Sequence, residues 1–88
     1  MNEFNPVMIS PKQLVSIFIV QGLENLYDEE LADQLGTSVA VLNMMREAKH
    51  TGISTPPWLA LNVHRILSEK HSLIESTKQV LEDDHGGL

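Results

Sequence analysis

The residues best placed to do chemistry lie between Ser38 and His50, in the stretch SVAVLNMMREAKH. Asn43 carries a carboxamide, which can donate to and accept from one adenine at the same time, and Val39 and Ala40 carry small apolar groups able to touch a thymine methyl. Ser38, Arg46, Lys49 and His50 offer hydroxyl, cationic and imidazole groups suited to phosphate oxygens. The chemistry implied is recognition of a duplex, not bond breaking. No nucleophile is spaced to a base, no carboxylate pair has a defined scaffold and no glycine-rich phosphate loop occurs, so neither catalysis nor a cofactor is expected. His50, His64, His71 and His85 read as isolated surface or satisfied residues, and the absence of cysteine excludes disulfides, thiol catalysis and cysteine-based zinc sites; no metal is expected.

Groups of this kind work only if one rigid face holds them. With Ser38 as N-cap, Leu42 and Met45 face inward with Leu31, Ala32 and Leu35, leaving Val39, Ala40, Asn43, Arg46, Glu47 and His50 outward on a helix that reaches about Lys49. The preceding segment, LYDEELADQLG, restarts a helix near Asp28. Carboxylates at Asp28, Glu29 and Glu30 suit the positive helix N-terminus, and Gly36 closes the helix as a left-handed residue would. Ahead of this pair, SPKQ makes a strong start: Ser10 as N-cap, Pro11 at the first helical position and Gln13 completing a capping box. That first helix runs to about Gln21 or Gly22, and LVSIFIV makes it apolar around much of its circumference.

After a TGIST loop, Thr55 caps a helix that opens with two prolines and places Leu59, Val63, Ile66 and Leu67 on one face. Ser72 and Glu75 repeat the capping-box signature before a last helix. No strand-like alternation of useful length is present. The reading is all-α, with five helices: a flexible leader at 1–9, one helical domain over 10–83 and a flexible acidic, glycine-containing tail at 84–88.

Charge limits the partners. Twelve carboxylates against six lysines and arginines give a formal net charge of −6, which argues against indiscriminate binding to nucleic acid or anionic lipid. The distribution is uneven, however. Glu24, Asp28, Glu29, Glu30 and Asp33 meet no base between 24 and 33, whereas between 37 and 70 Arg46, Lys49, Arg65 and Lys70 outnumber Glu47 and Glu69. With 42% apolar residues and few aromatics, the core is expected to be aliphatic, with Met44 and Met45 as filler and Trp58 as its one large residue. LVSIFIV is far short of the roughly 20 apolar residues that span a bilayer, so no membrane association and a cytoplasmic location are expected.

The stretch EELADQLGTSVAVLNMMREAK resembles the lambda-repressor-like, Cro-type helix-turn-helix family. Leu31 and Ala32 fall at its "LA", Leu35 and Gly36 at its "LG", Ser38 at its serine cap, and Leu42 and Met45 at its inward aliphatic positions. The segment PPWLALNVHRIL looks like the fourth helix of small phage-type and antitoxin-type regulators in that family, and the resemblance covers about residues 12 to 82. It implies a compact five-helix domain that binds operator DNA as a homodimer, as a transcriptional repressor. Ser38, Val39, Ala40 and Asn43 would then lie in the groove, with Arg46, Lys49 and His50 on phosphates.

The sequence departs from the family at Asp28, where a neutral phosphate donor is frequent, at Glu47 near the end of the reading helix, and in a first helix that lacks the usual arginine. These departures motivate a second expectation: a protein-binding module of the same fold, an antirepressor or antitoxin component, using Asp28, Glu29, Glu30 and Asp33 or the apolar face around Phe18. LVSIFIV also admits a purely structural oligomerisation unit.

Overall fold

The computed structural model describes residues 5–77. Helix α1 (Pro11–Leu23) opens on the capping box its sequence implies: Ser10 Oγ accepts from Gln13 N at 3.2 Å, and Gln13 Oε1 accepts from Ser10 N at 3.0 Å. Two otherwise orphaned amides are thereby satisfied. Leu14, Ile17 and Val20 are fully buried, and the chain leaves the helix through Asn25, whose φ of 54° is left-handed. Helix α2 (Asp28–Leu35) and helix α3 (Val39–Glu47) follow, and the structure ends α3 slightly before the expected Lys49. Helix α4 (Pro57–Glu69) buries Leu59, Val63 and Ile66 as their spacing requires. A fifth helix, α5, is described over 71–77 and inserts Ile74 into the same core. Ser72 thus lies inside this helix, not ahead of it as its cap.

The fold is mostly helical but not purely so. Residues read from sequence as leader and loop pair instead as strands β1 (Val7–Ile9) and β2 (Ile53–Thr55), antiparallel with Val7 opposite Thr55 and Ile9 opposite Ile53. Ile9 explains the pairing. It is fully buried, and burying a side chain of this size stabilises by about 1.5–3 kcal/mol. Thr55 is consequently not the cap of α4: it is buried in β2 with Oγ1 donating to Val7 O at 3.1 Å, and Pro56 takes the cap position. Gly52 (φ 80°) brings the chain into β2 so close to β1 that a Cβ there would lie 2.8 Å from Ile9 O. The expected tail at 84–88 and the last part of the domain, 78–83, lie outside the described residues.

The core is aliphatic, as composition implies, but two residues assigned to it are outside. Met44 is 57% exposed because Leu42 and Met45 take the inward positions of α3 and Met44 lies about 100° around the helix from Met45. Trp58 is 49% exposed. Leu59 occupies the core position beside it, and the Trp58 ring rests instead next to Gly36, in the turn between α2 and α3. From the same side of α4, Asn62 Nδ2 donates to Leu35 O at 2.9 Å and Arg65 Nη2 to Gln34 O at 3.4 Å. These donors satisfy carbonyls that the end of α2 leaves without intrahelical partners, and so tie α4 to the end of α2.

Candidate nucleic-acid interface

The α2–α3 turn is built by backbone chemistry that only a left-handed residue permits. Gly36 has φ 73° and ψ 30°. Its N–H donates to Asp33 O at 3.0 Å while Thr37 N–H reaches Ala32 O at 2.9 Å, the paired bonds of a Schellman motif. Two residues later Ser38 restarts the chain as a helix, its Oγ accepting from Val41 N at 3.2 Å. Leu31, Ala32 and Leu35 from α2 meet Leu42 and Met45 from α3 in the core. The second helix is therefore locked against the first by its apolar face.

What this leaves outward on α3 is Ser38, Ala40, Asn43, Met44 and Glu47, with His50 just beyond its end. Val39 is only half-exposed and packs against the core. Arg46 is the departure from a simple outward row. Its Nη1 donates to Asn43 Oδ1 at 2.7 Å, and its Nη2 to Asp28 Oδ1 at 2.9 Å and Gln21 Oε1 at 3.2 Å. The guanidinium carbon lies 4.8 Å from the centre of the Phe18 ring, close enough for cation–π attraction. Gln21 completes the cluster, its Nε2 donating to Asp28 Oδ1 at 2.7 Å and to Leu26 O at 3.2 Å. One arginine thus joins α1, the start of α2 and the outward face of α3.

The cluster changes the meaning of the acids. The hydrogen bond from Gln21 and then that from Arg46 hold the Asp28 carboxyl below its ordinary value of 3.8, against the opposing effect of desolvation. Glu30 Oε1 accepts from Tyr27 N at 2.8 Å and so serves the start of α2. Glu24 pairs with Lys70 at 3.0 Å and Glu69 with Arg65 at 3.4 Å. Glu29 and Asp33 remain exposed on α2 without an ion pair among the described residues. Phe18, expected as part of a partner surface, is half-buried under Arg46.

The cations are equally committed. Of the four bases between 37 and 70, only Lys49 has no ion pair among the described residues. It shares a shallow groove with His50, Val15, Phe18 and Ile19. Lys12, on α1, is the other unpaired cation among the described residues. No three histidine, aspartate or glutamate side chains converge there to hold a metal ion, and no described helix is long and apolar enough to cross a membrane.

Sequence reading found the turn, its cap and the inward faces, but it missed Gln21 entirely. The available signal was the sign pattern: an acid opening α2 and an arginine on α3, in elements that a tight turn forces side by side. Compared with protein-family models, characterised proteins and solved structures, the chain matches none.

Proposed function

We propose that α3 enters the major groove of a DNA duplex and that the chain acts as a sequence-specific transcriptional regulator, a repressor of the lambda-repressor-like, Cro type. The observation that carries this reading is the arrangement of α2 and α3: a Schellman turn at Gly36, a serine cap, a shared apolar seam, and an outward row of Ser38, Ala40 and Asn43 in which Asn43 presents a carboxamide one turn into the second helix. A helix-turn-helix reads bases from the N-terminal part of its second helix, while the first helix braces it against the backbone. In this role Ser38, Ala40 and Asn43 face base edges, with the half-exposed Val39 beside them, and Lys49 and His50 face phosphates. The pairing of Asp28 with Arg46 also removes part of the electrostatic objection, because that carboxylate does not confront the duplex unbalanced.

Few free cations mean few phosphate contacts, and each contact contributes a slope of about −0.9 to the dependence of log K on log salt. Useful affinity then requires a homodimer on two half-sites one helical turn apart. The test is binding of the purified protein to fragments of its own genomic neighbourhood, across low and moderate salt with competitor DNA. Saturable binding to one fragment with a shallow linear salt slope is expected. Absence of binding at every salt, with the protein folded, would overturn the reading.

A second reading, a protein-binding module of antirepressor or antitoxin type, is favoured by the exposure of Glu29 and Asp33 on α2. Glu29→Lys with Asp33→Lys tests it better than a change at Glu30, whose carboxylate is needed for the helix start. Loss of partner capture with DNA binding absent would support this reading, and unchanged capture would remove the surface.

A further inference from the structure

We propose that Arg46 is a positioning residue for Asn43 and not a phosphate ligand, with Gln21 and Asp28 as distant determinants of which base is read. The inference rests on the duplex-reading role of α3. Three of the guanidinium's five N–H donors are already used, one on Asn43 Oδ1, one on Asp28 Oδ1 and one on Gln21 Oε1. Its flat face is occupied by Phe18. The charge is offset at 2.9 Å by a carboxylate that is itself held ionised by a second hydrogen bond, from Gln21. A phosphate would find two N–H groups left, on a guanidinium whose charge Asp28 already offsets.

Asn43 is placed differently. Its Oδ1 accepts one bond from Arg46, which leaves the second lone pair and the whole Nδ2H₂ group for a partner. Those are the acceptor and donor that a carboxamide needs to meet adenine N6–H and N7 together. An unrestrained asparagine at an exposed helix position samples several rotamers. The bond to Arg46 selects one, and the bonds from Arg46 to Gln21 and Asp28 fix that arginine to α1 and α2. Specificity at the adenine position therefore depends on residues 18 and 25 positions away in sequence from Arg46.

Two variants separate positioning from phosphate binding. Arg46→Met keeps an unbranched side chain and removes every donor, whereas Asp28→Ala removes the carboxylate that offsets the guanidinium charge. The wild type is first used to enrich a site from a randomised duplex pool, and each variant is then titrated on the enriched and a scrambled duplex over a range of salt. For Arg46→Met the ratio of the two affinities is expected to fall about tenfold or more, with the salt slope unchanged. For Asp28→Ala the ratio falls while the slope steepens by about 0.9 per protomer, because a new cation reaches the backbone.

A slope reduced by about 0.9 per protomer in Arg46→Met, with the affinity ratio intact, would overturn the proposal. Side-chain amide NMR of Asn43 without DNA supplies an independent arm: its two amide protons and χ1 couplings should change to averaged values in Arg46→Met. Unchanged Asn43 signals would overturn positioning outright. A wild type that enriches no duplex would instead remove the reading of α3, and with it the specificity role, while averaged signals would still distinguish the clamp as real.

Discussion

Gly36 and Gly52 share a positive φ, 73° and 80°, yet a methyl group should be tolerated far better at the first. At Gly36 an added Cβ lies 3.4 Å from Asn62 Nδ2 and 3.7 Å from Trp58 Cζ3, which is ordinary contact with the ends of side chains. At Gly52 it lies 2.8 Å from Ile9 O, 3.2 Å from Met8 Sδ and 3.3 Å from Pro11 Cδ. Either alanine enters the left-handed region at about 1–2 kcal/mol, offset by about 0.4–1 kcal/mol from a less flexible unfolded chain. Gly36→Ala should therefore lose about 1 kcal/mol.

Gly52→Ala must also push the Ile9 carbonyl away. That loosens a strand hydrogen bond, about 0.5–1.5 kcal/mol, and draws Ile9 partly out of the core, a fraction of the roughly 1.5–3 kcal/mol its burial supplies. The expected total is about 2–4 kcal/mol. Urea denaturation with an unchanged m-value measures both, and in a domain of this size each kcal/mol moves Tm by about 4–8 °C. Equal losses at the two glycines would refute the close approach of β2 to β1.

The other expected outcomes concern Asp28, Leu42 and Trp58. Because the folded-state pKa of Asp28 lies below its unfolded value, its contribution is complete above the ordinary carboxylate value and is lost as pH falls through the folded value. Thermal unfolding between about pH 5 and pH 2 should decline less steeply in Asp28→Asn than in the wild type, and parallel curves would contradict the pairing. Leu42, fully buried at the seam of α2 and α3, should lose about 2–5 kcal/mol on replacement by alanine in chemical denaturation; a loss below about 1 kcal/mol would place it outside the core. Trp58 is the sole tryptophan, so acrylamide quenching of native fluorescence reports directly on its half-exposed ring, and quenching as weak as for a buried indole would contradict its position on α4.

The capping box at Ser10, the left-handed stop at Gly36 and the cap at Ser38 were legible because each is a contract among residues at most a few positions apart. The inward set of Leu31, Leu35, Leu42 and Met45 was legible from helical period alone. The strands were not, because each has three residues, too few to show alternation, and Val7 and its partner Thr55 lie 48 positions apart along the chain. Trp58 was misplaced for a related reason: residue size favours burial, but the neighbour Leu59 holds the inward register. The pairing of Arg46 was not legible because its partners Gln21 and Asp28 are ordinary surface residues until α1, α2 and α3 are packed. Two oddities of the sequence then share one cause. The acid opening α2 and the lone arginine of α3 are each other's partners.

The role of α3 is tested most directly at Asn43, whose replacement by alanine suits a helix surface and leaves the core untouched. On an enriched duplex and its scrambled counterpart at one fixed salt, Asn43→Ala should lose about 1–3 kcal/mol of discrimination while binding to the scrambled duplex stays unchanged. Discrimination equal to that of the wild type would contradict the placement of α3 in the groove.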